Sequence, residues 1–294
     1  MVQLALFTTE YDMSLVGYFA RALINAHSKC IVSKSSRPGK GQTMMKVSTK
    51  PQFYHNSRSK KYLWRVDIIS FTADFVKRTL EAAEGGHDWW HIHRVHTNAK
   101  KIAQSESVDP VVVELAALLH DIADAKFHDG DESIGPATAK QFLETQVQPA
   151  FPNQLSDEQV HHIIKIIENI SFKGGKEQAQ FHSKELAVVQ DADRLDAIGA
   201  IGIARTFNYG GFKGSEIFNP TLPPNPNMSK EEYKKGGNPS LNHFWEKLLL
   251  LKDRMNTQTG SVLAAERHQF MVSYLRQFFD ETGIQPHGFE LPTQ

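Results

Sequence analysis

His120 and Asp121 stand side by side at the end of an apolar run, Ala116-Ala117-Leu118-Leu119-His120-Asp121. An unpaired buried charge is costly, so this pair requires partners from elsewhere in the chain. Two stretches can supply them. One is Asp88-Trp89-Trp90-His91-Ile92-His93-Arg94-Val95, upstream; the other is Val189-Gln190-Asp191-Ala192-Asp193-Arg194-Leu195-Asp196, downstream. Imidazoles and carboxylates together make a mixed nitrogen and oxygen site. Such a site suits a divalent first-row ion such as Mn²⁺, Fe²⁺ or Co²⁺, and suits Mg²⁺ less well. The ion makes a bound water more acidic and offsets charge that develops on a phosphoryl group. His120 and Asp121 are about 100° apart around an ideal helix. Both reach one ion only near a helix end, and the polar run after Asp121 supplies that end.

The order His … His-Asp … Asp, each part at a helix, resembles the HD-domain metal-dependent phosphohydrolases. In that pattern the first histidine comes three residues before Arg-Val, which selects His91 over His87, His93 and His96. The last carboxylate follows alanine in Ala-Asp-Arg-Leu, which selects Asp193 over Asp191 and Asp196. The run His87-Asp88-Trp89-Trp90-His91-Ile92-His93-Arg94-Val95 and the run Asp191-Ala192-Asp193-Arg194-Leu195-Asp196-Ala197-Ile198-Gly199 are similar to phrases of the bacterial HD-type nucleoside triphosphate pyrophosphohydrolases. The resemblance covers about residues 66–280. It implies one divalent ion, Mn²⁺ first and Co²⁺, Fe²⁺ or Mg²⁺ otherwise, on His91, His120, Asp121 and Asp193. By carry-over it also implies that Asp124 handles the attacking water, although some relatives have glutamate there.

A polyanionic substrate needs cations. Arg94 is one helical turn from His91, Lys126 follows the metal pair, and Arg194 adjoins Asp193; these are the candidates for phosphate binding. Arg205 and Lys213 are further cations beside a segment that could close over the site. Asp196, three residues after Asp193, could orient Arg194 or a ligand histidine. The activity implied is hydrolysis of a nucleoside or deoxynucleoside triphosphate to monophosphate and pyrophosphate. A nucleoside 5′-monophosphatase and a non-catalytic metal or nucleotide sensor are the alternatives. A two-iron oxygenase would need extra histidines such as His128, His161 or His162.

Composition narrows the setting. One cysteine, Cys30, excludes an internal disulfide and a multi-cysteine zinc site and fits a reducing, intracellular home. No apolar run approaches the ~18 residues of a membrane span. The net charge of zero conceals an asymmetry: Met13 to Val66 holds eleven Lys or Arg and no Asp or Glu. Taking those eleven from the chain's 33 leaves 22 basic residues from Asp67 onward, against 31 acidic. Residues 1–62 therefore read as a basic, disordered leader, with the composition of a transit peptide. The protein is expected in the cytoplasm, or in a mitochondrion or plastid if the leader is a targeting signal. Neither membrane nor nucleic-acid binding is expected, and a homodimer is the oligomer this reading allows.

Along the chain, periodicity predicts an all-α, irregular HD-type bundle over 63–294 as a single domain. Helices are expected from Asp67 to before Gly85-Gly86, from Asp88 to about Glu106, from Asp109-Pro110 to His120, and over Pro136–Thr145. A capping box at Ser156 opens another, and a long helix carries Leu186 to Ile198. Residues 208–240, rich in Gly and Pro, read as a lid loop. Two amphipathic helices close the chain, one on Phe244, Leu248, Leu251 and Met255, the other on Val262, Phe270, Tyr274, Leu275 and Phe278.

Overall fold

The computed structural model describes residues 60–81, 88–123, 133–170, 181–227, 237–284 and 286–292, with side chains from residue 68 onward. Residues 1–59 of the expected leader lie outside the described residues, and the helix expected from Asp67 begins already at Lys60. All regular structure among the described residues is helical, as periodicity predicts.

The centre of the bundle is α3, Pro110–Leu119. Its sequence is apolar but for Glu114, which pairs with His96 at 3.2 Å, and this suits a helix surrounded by others. Seven of its ten residues are buried, Val112, Val113, Leu115, Ala116, Ala117, Leu118 and Leu119. Around it pack α1 (Lys60–Thr79), α2 (Trp89–Ala103), α5 (Asp157–Asn169) and α6 (Lys184–Asp196). The Ser156 capping box is present, with both reciprocal bonds made, and α5 buries Val160, Ile163, Ile164, Ile166 and Ile167 on one face. Between them, α4 (Ile134–Phe142) runs into a wider π-type turn, Leu143–Val147. Pro149 follows and has no N–H for the ordinary i−4 bond, which gives a physical reason for the widened ladder.

Three elements differ from the periodicity. The helix expected to reach Ile198 stops at Asp196, and a separate helix, α7, runs over Gly199–Lys213. The break is made by extended backbone at Ile198 and by Gly199 at φ 76°, a conformation that glycine tolerates. A side chain at Gly199 would also press on Arg267 Cβ at 3.0 Å. In consequence Asn208 to Lys213 are helical rather than part of a loop; the irregular chain begins at Gly214. The first of the two closing helices is a series of short turns, Ser240–Asn242, His243–Glu246 and Leu248–Arg254. The second is α8, Gln258–Thr282, which packs on α6 and α7. Val262 and Phe270, expected as anchors, are 55% and 54% exposed. The buried face of α8 is carried by the expected Leu275 together with Ala264, His268, Met271, Val272 and Phe279, and the expected Tyr274 and Phe278 pack partly buried against the core.

Candidate metal centre

Local rules bring the candidate ligands to one place. Asp88 caps α2 by accepting the His91 amide at 3.0 Å, which sets His91 in the first turn. Asp109 caps α3 by accepting the Val111 and Val112 amides at 2.9 and 3.4 Å. Ten residues later α3 ends, and His120 and Asp121 follow in the closing turn. Ser183 caps α6, which carries Asp193 late in its length.

His91, His120 and Asp193 each offer one ligand atom, and the three atoms lie within 4.8 Å of one another. His91 Nε2 is 3.6 Å and His120 Nε2 3.9 Å from Asp193 Oδ1. Asp121 Oδ2 joins them, 3.5 Å from His91 Nε2 and 3.8 Å from His120 Nε2. Both histidines are buried, whereas the Asp121 and Asp193 side chains are 23% and 39% exposed. The centre is therefore walled by imidazole and open on its carboxylate side.

The tautomers are set from behind. His120 Nδ1 donates to the Ala117 carbonyl at 2.9 Å, and His91 Nδ1 donates to Asp196 Oδ2 at 2.7 Å. Each ring, when neutral, then presents the Nε2 lone pair toward the cluster. His120 Nε2 is buried and has no hydrogen-bond partner among the described residues. A buried nitrogen of this kind, facing carboxylates, fits a divalent ion on these four side chains.

Asp196 is almost wholly buried, and it is met by two arginines as well as by His91. Arg94 Nε and Nη2 donate to its two oxygens at 2.6 and 3.1 Å, and Arg205 Nη1 donates to Oδ2 at 2.9 Å. Burial alone would raise its pKa, but the hydrogen bonds from His91 and Arg94 and the charges of His91 and Arg205 hold it far below the usual carboxylate range. For His91, burial lowers the pKa. The hydrogen bonds to Asp121 and Asp196 and the charges of Asp193 and Asp121 outweigh it and push the value up to about 9 in the metal-free protein.

Residues 89–198 match the HD domain. The YpgQ protein of Bacillus subtilis (strain 168) is 37% identical over 204 residues, which are 69% of this chain and 88% of that protein. The chain belongs to the HD-domain family. It resembles a solved HD-superfamily hydrolase from Bacillus thuringiensis, 40% identical, with a TM-score of 0.58 over 75% of this chain and 100% of that one. YpgQ has been solved in complex with ADP; that structure is 34% identical with a TM-score of 0.55, over 74% of this chain and 96% of that one. The protein is an HD-type metal-dependent phosphohydrolase.

In this HD centre the three aspartates of α6 part company. Asp193 faces the imidazoles and Asp196 supports His91. Asp191, fully buried, accepts the Asn256 amide at 2.8 Å and the Thr257 amide and hydroxyl, both at 2.8 Å. Of the cations expected at the phosphates, Arg94 is bound to Asp196. It sits on the Nδ1 side of His91, across the ring from the cluster. Arg194 donates to the Arg254 carbonyl at 2.6 Å and lies 3.6 Å from Asp191. Lys126 and Asp124 lie outside the described residues, as do His128 and the glycine loop around Lys173. His162 bonds Ser183 at 2.9 Å, near Glu185, and serves the α5–α6 packing. Trp89 packs against the core, while Trp90 is 61% exposed, its ring edge-on to His93. Lys213 lies over the exposed rings of Tyr209 and Phe212. Sequence reasoning missed Arg267, which donates to the Leu195 carbonyl and to Asn98 at 3.1 Å and so ties α8 to the end of α6 and to α2. Its only signal was an arginine, one of two, in an amphipathic helix.

Proposed function

We propose that this phosphohydrolase acts on a nucleoside or deoxynucleoside triphosphate and releases the monophosphate and pyrophosphate. The observation that carries the reading is its likeness to YpgQ, a protein solved with ADP bound. ADP presents the base, sugar and phosphoanhydride that such a substrate would also present. The acidic body of the protein makes neutralisation of those phosphates a local task, for an ion and a few placed cations.

In this reading His91, His120, Asp121 and Asp193 hold one divalent ion, Mn²⁺ by preference for a site of two nitrogens and two carboxylates. When bound, the ion supplies Lewis acidity toward water and toward a phosphoryl oxygen. The chain's own residues do the rest. The buried imidazoles fix the direction from which the site is approached. The exposed Asp121 and Asp193 edge leaves room for water and substrate. Asp124, three residues after Asp121, orients the attacking water and accepts its proton. Water adds at the α-phosphorus, the bond to the bridging oxygen breaks, and pyrophosphate leaves with that oxygen. Lys126 holds the departing phosphates. Arg94 and Arg194, already committed to other acceptors, are left out of that contact.

The test is a product assay on the Mn²⁺-loaded protein with ribo- and deoxynucleoside mono-, di- and triphosphates, scoring phosphate and pyrophosphate separately. Pyrophosphate from triphosphates is the expected result. Phosphate from monophosphates would replace the reading with a nucleotidase. Metal bound without turnover on any of the panel would replace it with a sensor. Elemental analysis should return one ion per chain, and two would contradict the single-ion site.

A further inference from the structure

We infer that Arg205 is a positioning residue for His91, acting through the one carboxylate oxygen that the two side chains share. That oxygen is Asp196 Oδ2. It accepts from His91 Nδ1 at 2.7 Å and from Arg205 Nη1 at 2.9 Å, and it also takes Arg94 Nη2 at 3.1 Å. The other oxygen, Oδ1, takes Arg94 Nε at 2.6 Å.

The two arginines do different things to this carboxylate. Arg94 grips both oxygens from α2, the helix that carries His91 itself. A fork of that kind fixes the plane of the carboxylate relative to α2. Alone, it would let the group and its helix end swing together about the Arg94 contact. Arg205 comes from α7, beyond the α6–α7 break, and reaches back to Asp196. Its Nη1 meets Oδ2 and also lies 3.4 Å from the Asp196 backbone carbonyl. That second contact ties the side-chain oxygen to the main chain of the residue that bears it. With Arg205 in place, Oδ2 has one position, and the His91 ring has one orientation. The ring's other nitrogen, Nε2, is then aimed at Asp193 Oδ1 and Asp121 Oδ2, 3.6 and 3.5 Å away. Arg205 is half-buried, its side chain 27% exposed, so it is held as well as holding.

Losing a support behind a metal-binding histidine commonly weakens metal binding by about 10- to 100-fold. Arg205→Ala should therefore weaken Mn²⁺ binding by that order in the chelator-stripped full chain, measured by titration calorimetry. Arg205→Lys keeps the charge and a donor but is shorter and lacks the rigid guanidinium plane, so it should recover part of the contact and its loss should be smaller. In the Co²⁺-loaded protein both variants should shift the visible ligand-field bands, because the ring direction has changed. A purely structural tie between α6 and α7 would lower the melting temperature and leave those bands alone.

The decisive comparison is a double-mutant cycle with Asp196→Asn. If Arg205 acts through Asp196, then Arg205→Ala added to the Asp196→Asn variant should cost no further Mn²⁺ affinity. Independent, multiplying losses would overturn the inference, as would wild-type affinity in Arg205→Ala. Should Arg205→Ala fail to fold, Arg205→Lys carries the test, and an unchanged Co²⁺ spectrum and affinity would overturn it. The inference rests on His91 as a ligand. His91→Ala separates the two failures: if it keeps Mn²⁺, the ligand reading falls; if it loses Mn²⁺ while the Arg205 variants keep it, only the role of Arg205 falls.

Discussion

Asp191 and Asp193 are two residues apart on one helix, and their surroundings are opposite. Asp191 is fully buried, and main-chain amides, an amide side chain and a hydroxyl from residues 256 and 257 fill its lone pairs. Asp193 is 39% exposed and faces two imidazole nitrogens. The first carboxylate takes its hydrogen bonds from neutral donors, with Arg194 at 3.6 Å beside it, and holds helices together. The second is arranged toward cations and open to solvent. Burial alone would have ranked them the wrong way round as ligands; the identity and number of donors separates them.

That contrast can be broken most directly at Asp193. Asp193→Ala, or His120→Ala, should abolish stoichiometric Mn²⁺ binding and reduce turnover by more than about a hundredfold. The basis is the several kcal/mol that such an ion contributes to the transition state, at about 1.4 kcal/mol per factor of ten. Retained activity would remove either residue from the centre. Asp191→Ala should do the reverse, leaving the ligands chemically intact while stranding buried amides. A loss of about 3 kcal/mol is expected from that, or a fall of roughly 6–12 °C in melting temperature. An unchanged melting temperature would contradict the structural role.

Acidity sharpens the comparison further. The metal-free His91 pKa of about 9 lies above its ordinary 6.5. Its protonated form therefore stabilises the metal-free fold fully below pH 6.5, and that contribution is lost as pH rises through 9. Metal requires the neutral ring, so Mn²⁺ affinity should move the other way, rising about tenfold per pH unit between roughly pH 6 and 8. A flat titration would show that His91 loses no proton on binding. The smallest effect is expected at Phe270, an exposed side chain on α8. Phe270→Ser should change stability by less than about 0.5 kcal/mol in a denaturant titration.

Much of this was legible in the chain. Asp109-Pro110 and the Ser156 capping box announced two helices because caps are local chemistry. The end of α6 was not legible, since apolar spacing continues through Ile198 and the break depends on the backbone of Ile198 and Gly199. The run from Phe244 to Met255 has helical spacing but folds as short turns, so spacing there reported burial and not continuity. At the site, the resemblance of Ala192-Asp193-Arg194-Leu195 to the HD-domain pattern pointed to Asp193 over Asp191 and Asp196. It could not foresee that Arg94 would be spent on Asp196, because that pairing joins residues 102 apart. Val262 and Phe270 misled for a related reason: a helix 25 residues long has apolar positions on more than one side, and only the partners decide which side is covered.

The donors of Asp191 also bear on where this polypeptide could be shortened. The stretch that matches the HD domain closes at residue 198, yet Asp191 within it takes its hydrogen bonds from residues 256 and 257. Thr257 in turn caps α8 through the Gly260 amide, and a β-carbon at Gly260 would collide with Asp191 itself. A fragment trimmed at the homology boundary would keep every candidate ligand and lose the lock on the helix that carries Asp193. The stretch that matches the HD domain and the folding unit of this protein thus have different ends, and the second is the longer.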